Sequence, residues 1–213
     1  MKPQALKPQP PPPKAYSGIE IVRLVWLAIF VSVFSFLVYN RNNEVLLYGD
    51  AVAHINIARR VFDSKTPGLL QLGTVWLPLP HLLILPFIVS NRMWKSGLGG
   101  SIPSMAGFVL GVLGIFRLVR AALTCEGEGN GGVARTLAWA GAIIYCANPN
   151  LIYMQSTAMG ESLYLAFFIW AVLYFAEFAR GDAKSSRSLT RCGVCLAAAC
   201  LTRYDGWFLA ASM

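Results

Sequence analysis

The sequence predicts an all-α, polytopic transmembrane fold, and two observations carry that expectation. The first is composition. Of 213 residues, 56% are hydrophobic and only 13% charged, whereas a soluble domain carries about 25% charge. The second is pattern: apolar runs matching the about 20 residues that a helical span needs alternate with short segments that collect the charge. The net charge of +8 has the sign that attracts nucleic acid. It is gathered, however, at Lys2, Lys7 and Lys14, at Arg117, Arg120 and Arg135, and at Arg180, Lys184, Arg187 and Arg191. Basic residues confined to alternate short loops follow the positive-inside rule, so nucleic-acid binding is set aside.

Taken in order, residues 1–17 form a proline-rich, disordered cytoplasmic tail. Residues 19–39 are the first span. The run is too long for a signal-peptide core and has no small-x-small pattern after it, so it is a retained anchor with a cytoplasmic amino terminus. Residues 40–101 make a long outer loop carrying amphipathic interfacial helices. In its first part, Gly49 and Asp50 cap a helix on which Ala51, Ile55, Ala58 and Phe62 share one face. Asn56, Arg59, Arg60 and Asp63 take the other face, with Asp50 and His54 on the border. Its second part, from Trp76 and His81 to Val89, is apolar but broken by Pro78, Pro80 and Pro86. An apolar run of about 10 to 14 residues is interfacial or re-entrant, and the backbone that proline frees has to be buried in protein.

Further spans are expected over residues 102–123, 136–153, 161–178 and 193–213, so that 18–213 form one membrane domain. The glycines of the loop 124–135 lack the spacing and lysine of a phosphate-binding loop. Residues 180–191 are a second basic inner loop. The chain ends inside an apolar run and is therefore read as the amino-terminal part of a longer protein. Of five cysteines, Cys192 and Cys195 form a CxxC without a second pair; neither a zinc site nor a disulfide framework follows.

Ionisable groups beside a span mark function by default. Asp50 and Glu161 are acids that the topology brings to the outer face from separate loops. Each also has a plain structural reading: Asp50 as a helix cap, Glu161 as a charge at a helix N-terminus. Arg59 and Arg60 form a solvated face, lie along headgroups or hold phosphate. Arg203 either pairs with Asp205 or holds phosphate. Trp76 and His81 read as interface anchors more than as a sugar platform.

At these residues the chain resembles the integral-membrane glycosyltransferases of the GT-C fold, particularly the protein mannosyltransferase and aminoarabinose transferase branch. The features are the first span, the acid-bearing stretch GDAVAHINIARRVFDS, the proline-containing VWLPLPHLLILPF, the acid-terminated STAMGESLYLAF and a later LTRYDGWFLA. The resemblance implies transfer of a sugar from a polyprenyl-phosphate carrier to a protein, lipid or glycan hydroxyl on the non-cytoplasmic face, with inversion. It casts Asp50 as general base and Glu161 as a second acidic site. His54 would orient Asp50 or contact the acceptor, and Arg59, Arg60 and Arg203 would bind the carrier phosphate. Many relatives have two adjacent acids where this chain has Asp50 and Ala51. No cofactor is required; a divalent ion near the carrier phosphate, held by Asp50 and Glu161, is compatible with the family.

The overall pattern points to a bacterial or archaeal cell membrane. The alternative of another class is a multi-span transporter or permease subunit, with Arg203 and Asp205 lining a pathway. Transporters often contain repeated halves, and this sequence shows no internal repeat.

Overall fold

The computed structural model describes residues 17–72, 75–123, 131–180 and 185–213. The tail 1–16, most of the glycine-rich loop with Cys125, and residues 181–184 of the second basic loop lie outside the described residues. Among the described residues all regular structure is helical: α1 (Gly18–Arg41), α2 (Gly49–Arg59), α3 (Pro78–Ile84), α4 (Asn91–Lys95), α5 (Leu98–Leu123), α6 (Gly131–Cys146), α7 (Pro149–Gln155), α8 (Glu161–Ala179), α9 (Ser185–Thr202) and α10 (Asp205–Ser212). Of these, α1, α5 and α8 are long and apolar enough to cross a membrane.

The surface is more apolar than parts of the interior. On α1 the outward side carries Trp26, Phe30 and Phe34, and Trp26 is 67% exposed, while Glu20, Ser32 and Ser35 are turned inward and buried. Water would reverse that arrangement; a hydrocarbon solvent permits it, because packing there depends on close fit and interhelical hydrogen bonds. α6 repeats it: Ala134, Ala138 and Ala142 are buried, and Ile143 and Ile144 are exposed.

α5 is the central helix. α1 and α6 pack on it through Leu24, Ala28, Phe108, Val112, Phe116, Ala138 and Ala142. α8 runs parallel to it on the other side, so close that a Cβ on Gly107 would lie 2.8 Å from the Leu163 backbone nitrogen, and one on Gly114 2.8 Å from Ile169. At one end, Glu20 of α1 meets Arg135 at 2.6 Å and Arg120 at 3.9 Å, and Glu177 of α8 meets Arg117 at 3.4 Å and accepts a hydrogen bond from Ser188. The other end is covered by α2, α3 and α4.

Two stretches expected as single spans are each divided. Residues 136–153 fall in α6 and α7, because Asn148 ends one helix and caps the next, accepting hydrogen bonds from the Asn150 and Leu151 backbone at 3.0 and 3.2 Å. Pro149 then takes the first position of α7, where its missing N–H is not needed. Residues 193–213 fall in α9 and α10, and α10 folds back along α9. Gly206 lies against the Ala199 backbone, Trp207 donates to the Cys200 carbonyl, and Leu209 packs with Ala171 and Cys192. Arg203 and Asp205 therefore sit at the tip of a helical hairpin instead of inside a span.

Candidate functional site

The site is built at the covered end, where α2, α3, the segment 156–160 and the α9–α10 tip converge. The inner face of α2 follows the expected helical stripe: Ala51, Ile55 and Ala58 are buried with Ile84, Ile88, Ala158 and Met159. Phe62 lies beyond the helix and is exposed. The segment 156–160, expected as a small outer loop, is buried throughout. Irregular backbone can be buried there because α5 satisfies its carbonyls: Ser101 donates to Ser156 at 2.9 Å and Ser104 to Met159 at 2.5 Å. Beside it, Gln155 donates to Ser35 at 2.7 Å and accepts from Ser32 at 2.6 Å, which fixes α7 to α1. Nothing in the sequence marks these serines and this glutamine as partners.

Asp50 stands in the first turn of α2, whose N-cap is Tyr48. Its carboxylate neither caps the helix nor bonds to any described residue. The expected cap is thus displaced by two positions, and the acid is left half-buried and uncommitted. One turn on, His54 is buried, and its Nδ1 lies 2.9 Å from Nε2 of His81, which is wholly buried in α3. The Trp76 ring covers His54 at 4.7 Å between centroids. Pro78 and Pro80 start α3 without needing N–H donors and set His81 one turn behind Leu77. Burial and then the nearby Arg203 charge push His54 down to about 4. His81 is pushed down to about 4 by burial and by His54, with the Leu77 carbonyl acting the other way. Both rings are neutral at physiological pH.

Glu161 opens α8, and its Oε1 accepts from Arg203 at 2.5 Å; the same guanidinium bonds Asp205 at 3.0 Å. Arg203 thus pairs with Asp205, as the first of its two readings expected, and also ties the α9–α10 tip to α8. Oε2 of Glu161 is buried without a partner among the described residues. Tyr204 donates to the Val75 carbonyl at 3.2 Å, joining this tip to the segment that carries Trp76.

Arg59 and Arg60 differ sharply. Every nitrogen of the Arg59 guanidinium is bonded to protein: Nε to Asp63 at 2.7 Å, Nη1 to the Ile88 and Val89 carbonyls at 2.6 and 3.0 Å, Nη2 to Asn91 at 2.6 Å. It also lies 5.0 Å from the Trp94 ring centre. Arg59 is a clamp between α2 and α4, and each of its guanidinium nitrogens is engaged by protein in this structure. Arg60 is exposed and unbonded among the described residues. As for a divalent ion, Glu161 already spends one oxygen on a guanidinium, and no group of three or more His, Cys, Asp or Glu side chains able to hold a metal occurs among the described residues.

Comparison with known proteins gives no match to a family model, to a curated protein or to a solved structure.

Proposed function

We propose that this chain is an integral, multi-pass membrane glycosyltransferase that moves a sugar from a polyprenyl-phosphate carrier to an acceptor hydroxyl, with Asp50 as general base. The observation that carries the reading is the state of Asp50. It is a half-buried carboxylate with no described partner, on the same end of an apolar bundle as an Arg–Glu pair and an uncommitted arginine. An acid that neither caps nor pairs is available to a substrate, and an ionised carboxylate accepts hydrogen bonds only.

In the proposed step, the acceptor hydroxyl gives its proton to Asp50 while its oxygen bonds to the anomeric carbon. The bond from that carbon to the phosphate oxygen breaks, and polyprenyl phosphate leaves with the electron pair from the opposite face. The sugar is therefore inverted. Of the arginines proposed for the carrier phosphate, Arg60 and the outward part of Arg203, which is 39% exposed, remain to meet it, because every nitrogen of Arg59 is bonded to protein. Glu161 holds Arg203 in place. The exposed apolar flanks of α1 and α6 face lipid, where the polyprenyl chain also lies. The proposed setting is a bacterial or archaeal cell membrane, with the site on the non-cytoplasmic side.

The test is sugar transfer by membranes containing the protein, offered a panel of polyprenyl-phosphate sugars, with Asp50→Asn alongside. The expected result is consumption of one donor by the wild type and a fall in kcat of at least about a hundredfold in the variant, as loss of a general base gives, with donor binding kept. Normal turnover by Asp50→Asn removes Asp50 from the chemistry. A wild type that consumes no donor but moves a solute across sealed vesicles puts a transporter in its place.

A further inference from the structure

The chain has two histidines in all, and they meet in one contact, His54 Nδ1 to His81 Nε2 at 2.9 Å. Histidine is the side chain whose ordinary value falls between about pH 5 and 8, so the groups suited to answer a change of acidity in that range are gathered at a single point. Both are buried, His54 at 6% exposure and His81 at 0%. Two ring nitrogens at this distance have room for one hydrogen between them, whichever ring supplies it. With both rings neutral, or with one of them charged, a donor still faces an acceptor. With both charged, N–H opposes N–H and two cations touch inside protein. Like charges that close repel strongly away from water, and each also bears the cost of leaving water. The contact tolerates one added proton but not two.

This contact is also where α2 is held to α3, together with the packing of Ala51 and Ile55 among Ile84 and Ile88. The other polar ties of α2 lie toward its far end: Asn56 accepts from Trp94 of α4, and Arg59 bonds residues 88, 89 and 91. Asp50, at the near end, bonds to no described residue. With Arg59 fixed and the histidine contact broken, the part of α2 free to move is the end that carries Asp50.

The charges around the pair come from several elements. On α2, Asp50 stands one turn before His54 and favours a charge on it, while Arg59 is paired with Asp63 and Arg60 is exposed. At the facing tip, Arg203 opposes a charge on His54 and is itself paired with Glu161 of α8 and Asp205 of α10. α4 brings Arg92 and Lys95, both exposed; α3 has no titratable group besides His81, and α5 none before Arg117. Burial outweighs these charges and pushes both rings down to about 4.

We propose that the His54–His81 contact is an acid-released latch, which holds α2 on α3 while at least one ring is neutral and frees the Asp50 end of α2 when both are protonated. The sign follows from linkage. Rings exposed in the released form take up protons at about 6.5, whereas in the closed form they resist down to about 4. The closed form therefore has its full advantage above pH 6.5 and loses it as the pH falls toward 4, by up to about a hundredfold per pH unit because two protons are involved. The latch stands whether or not Asp50 serves glycosyl transfer.

Because there are two histidines, labelling them with nitrogen-15 gives a spectrum of this pair alone. In lipid nanodiscs, the full chain is followed from pH 7.5 to 4.5 by that spectrum and by amide hydrogen exchange corrected for its own pH dependence. Both rings should be neutral at the start and take up protons together, and over the same range α2 and α3 should lose protection by about tenfold or more per pH unit while α5 keeps its own. In the double variant His54→Asn with His81→Gln, the amides reach as Nδ1 and Nε2 do and can hydrogen-bond without titrating, so α2 and α3 should stay protected to pH 4.5. If that variant does not accumulate, His81→Gln alone serves, since two charges can no longer face each other. Rings that titrate separately at about 6.5 with protection kept overturn the latch, and so do rings that stay neutral to pH 4.5. Equal loss of protection in the wild type and the variants overturns it as well, by placing the acid response on other groups.

Discussion

Arg59 and Arg60 are neighbours with the same side chain and opposite circumstances, and they show what a residue-level argument has to include. From the sequence both are cations on the polar face of an amphipathic helix, equally placed for a phosphate. The structure gives Arg59 two backbone carbonyls, Asn91 and Asp63 as partners, and leaves Arg60 free among the described residues. Arg59→Ala should therefore destabilise the fold, on the order of 3 kcal/mol, because it strands acceptors that a charged donor satisfied. Donor KM of the protein that still folds should stay unchanged. Arg60→Ala should leave stability within about 0.5 kcal/mol and raise donor KM about tenfold, worth ~1.4 kcal/mol. Thermal unfolding in detergent and donor titration measure both quantities on the same samples. If Arg60→Ala melts early and Arg59→Ala alone weakens donor binding, the assignments exchange. The acid was legible as a residue, since Asp50 is a charge beside a span, but its freedom was not. That depends on α2 starting at Gly49 with Tyr48 as cap, a shift too small for helix-end signals to fix. Nor was the histidine pair legible, because 27 residues separate its members and only the packing of α3 on α2 brings them together.

At the scale of elements, hydropathy identified α1, α5 and α8 because each is a continuous apolar run, and it failed where apolar runs bend. The division between α6 and α7 did leave a signal, since Asn148 followed by Pro149 favours a turn; the high hydropathy on both sides overrode it. The hairpin of α9 and α10 left less. Its turn is made by Arg203 and Tyr204, and what lets α10 return is the bare face of Gly206 against Ala199, a tertiary fact. Glycine serves in the same way between α5 and α8, where interhelical packing in lipid relies on small residues that let backbones approach. Gly107→Ala places a Cβ 2.8 Å from the Leu163 nitrogen and 2.9 Å from the Ser162 carbonyl carbon, and backbone cannot move aside as a side chain can. The substitution should cost about 1–3 kcal/mol, as overpacking does. Gly193→Ala, in α9 with nothing within 4 Å of the new methyl, should be neutral or slightly stabilising through helix propensity. Comparing the two by thermal unfolding separates close packing from a general intolerance of methyl groups. Because α8 starts at Glu161, a shift of α8 away from Gly107 should also loosen the Glu161–Arg203 contact and reduce transfer.

Over the whole molecule, the strongest asymmetry is between its two ends. One end gathers Glu20, Arg117, Arg120, Arg135 and Glu177 into ion pairs close to the helix termini, with Arg187 and Arg191 beside them on α9. The other end carries Asp50, the histidine pair, Glu161 and Arg203 under a layer of short helices. Alternation of α1, α5, α6, α8 and α9 between these ends follows from the paired contacts: Glu20 with Arg120 and Arg135, Glu177 with Arg117 and Ser188, Glu161 with Arg203. If α1, α5 and α8 cross a bilayer, the two ends lie on opposite sides. The positive-inside rule counts short loops near span ends, and the proposed orientation follows it, with the first end in the cytoplasm and the Asp50 end outside. The long segment between α1 and α5 is also basic, but loops of that length escape the rule. A protease site inserted after Asn43, in the exposed turn that follows α1, should thus be cut by protease added to intact cells. A site inserted after Gly132, at the start of α6, should be cut only after the membrane is opened. The reverse pattern would put Asp50 in the cytoplasm and end the case for a carrier presented outside. Cutting at both sites in sealed cells would mean that α5 does not cross the bilayer.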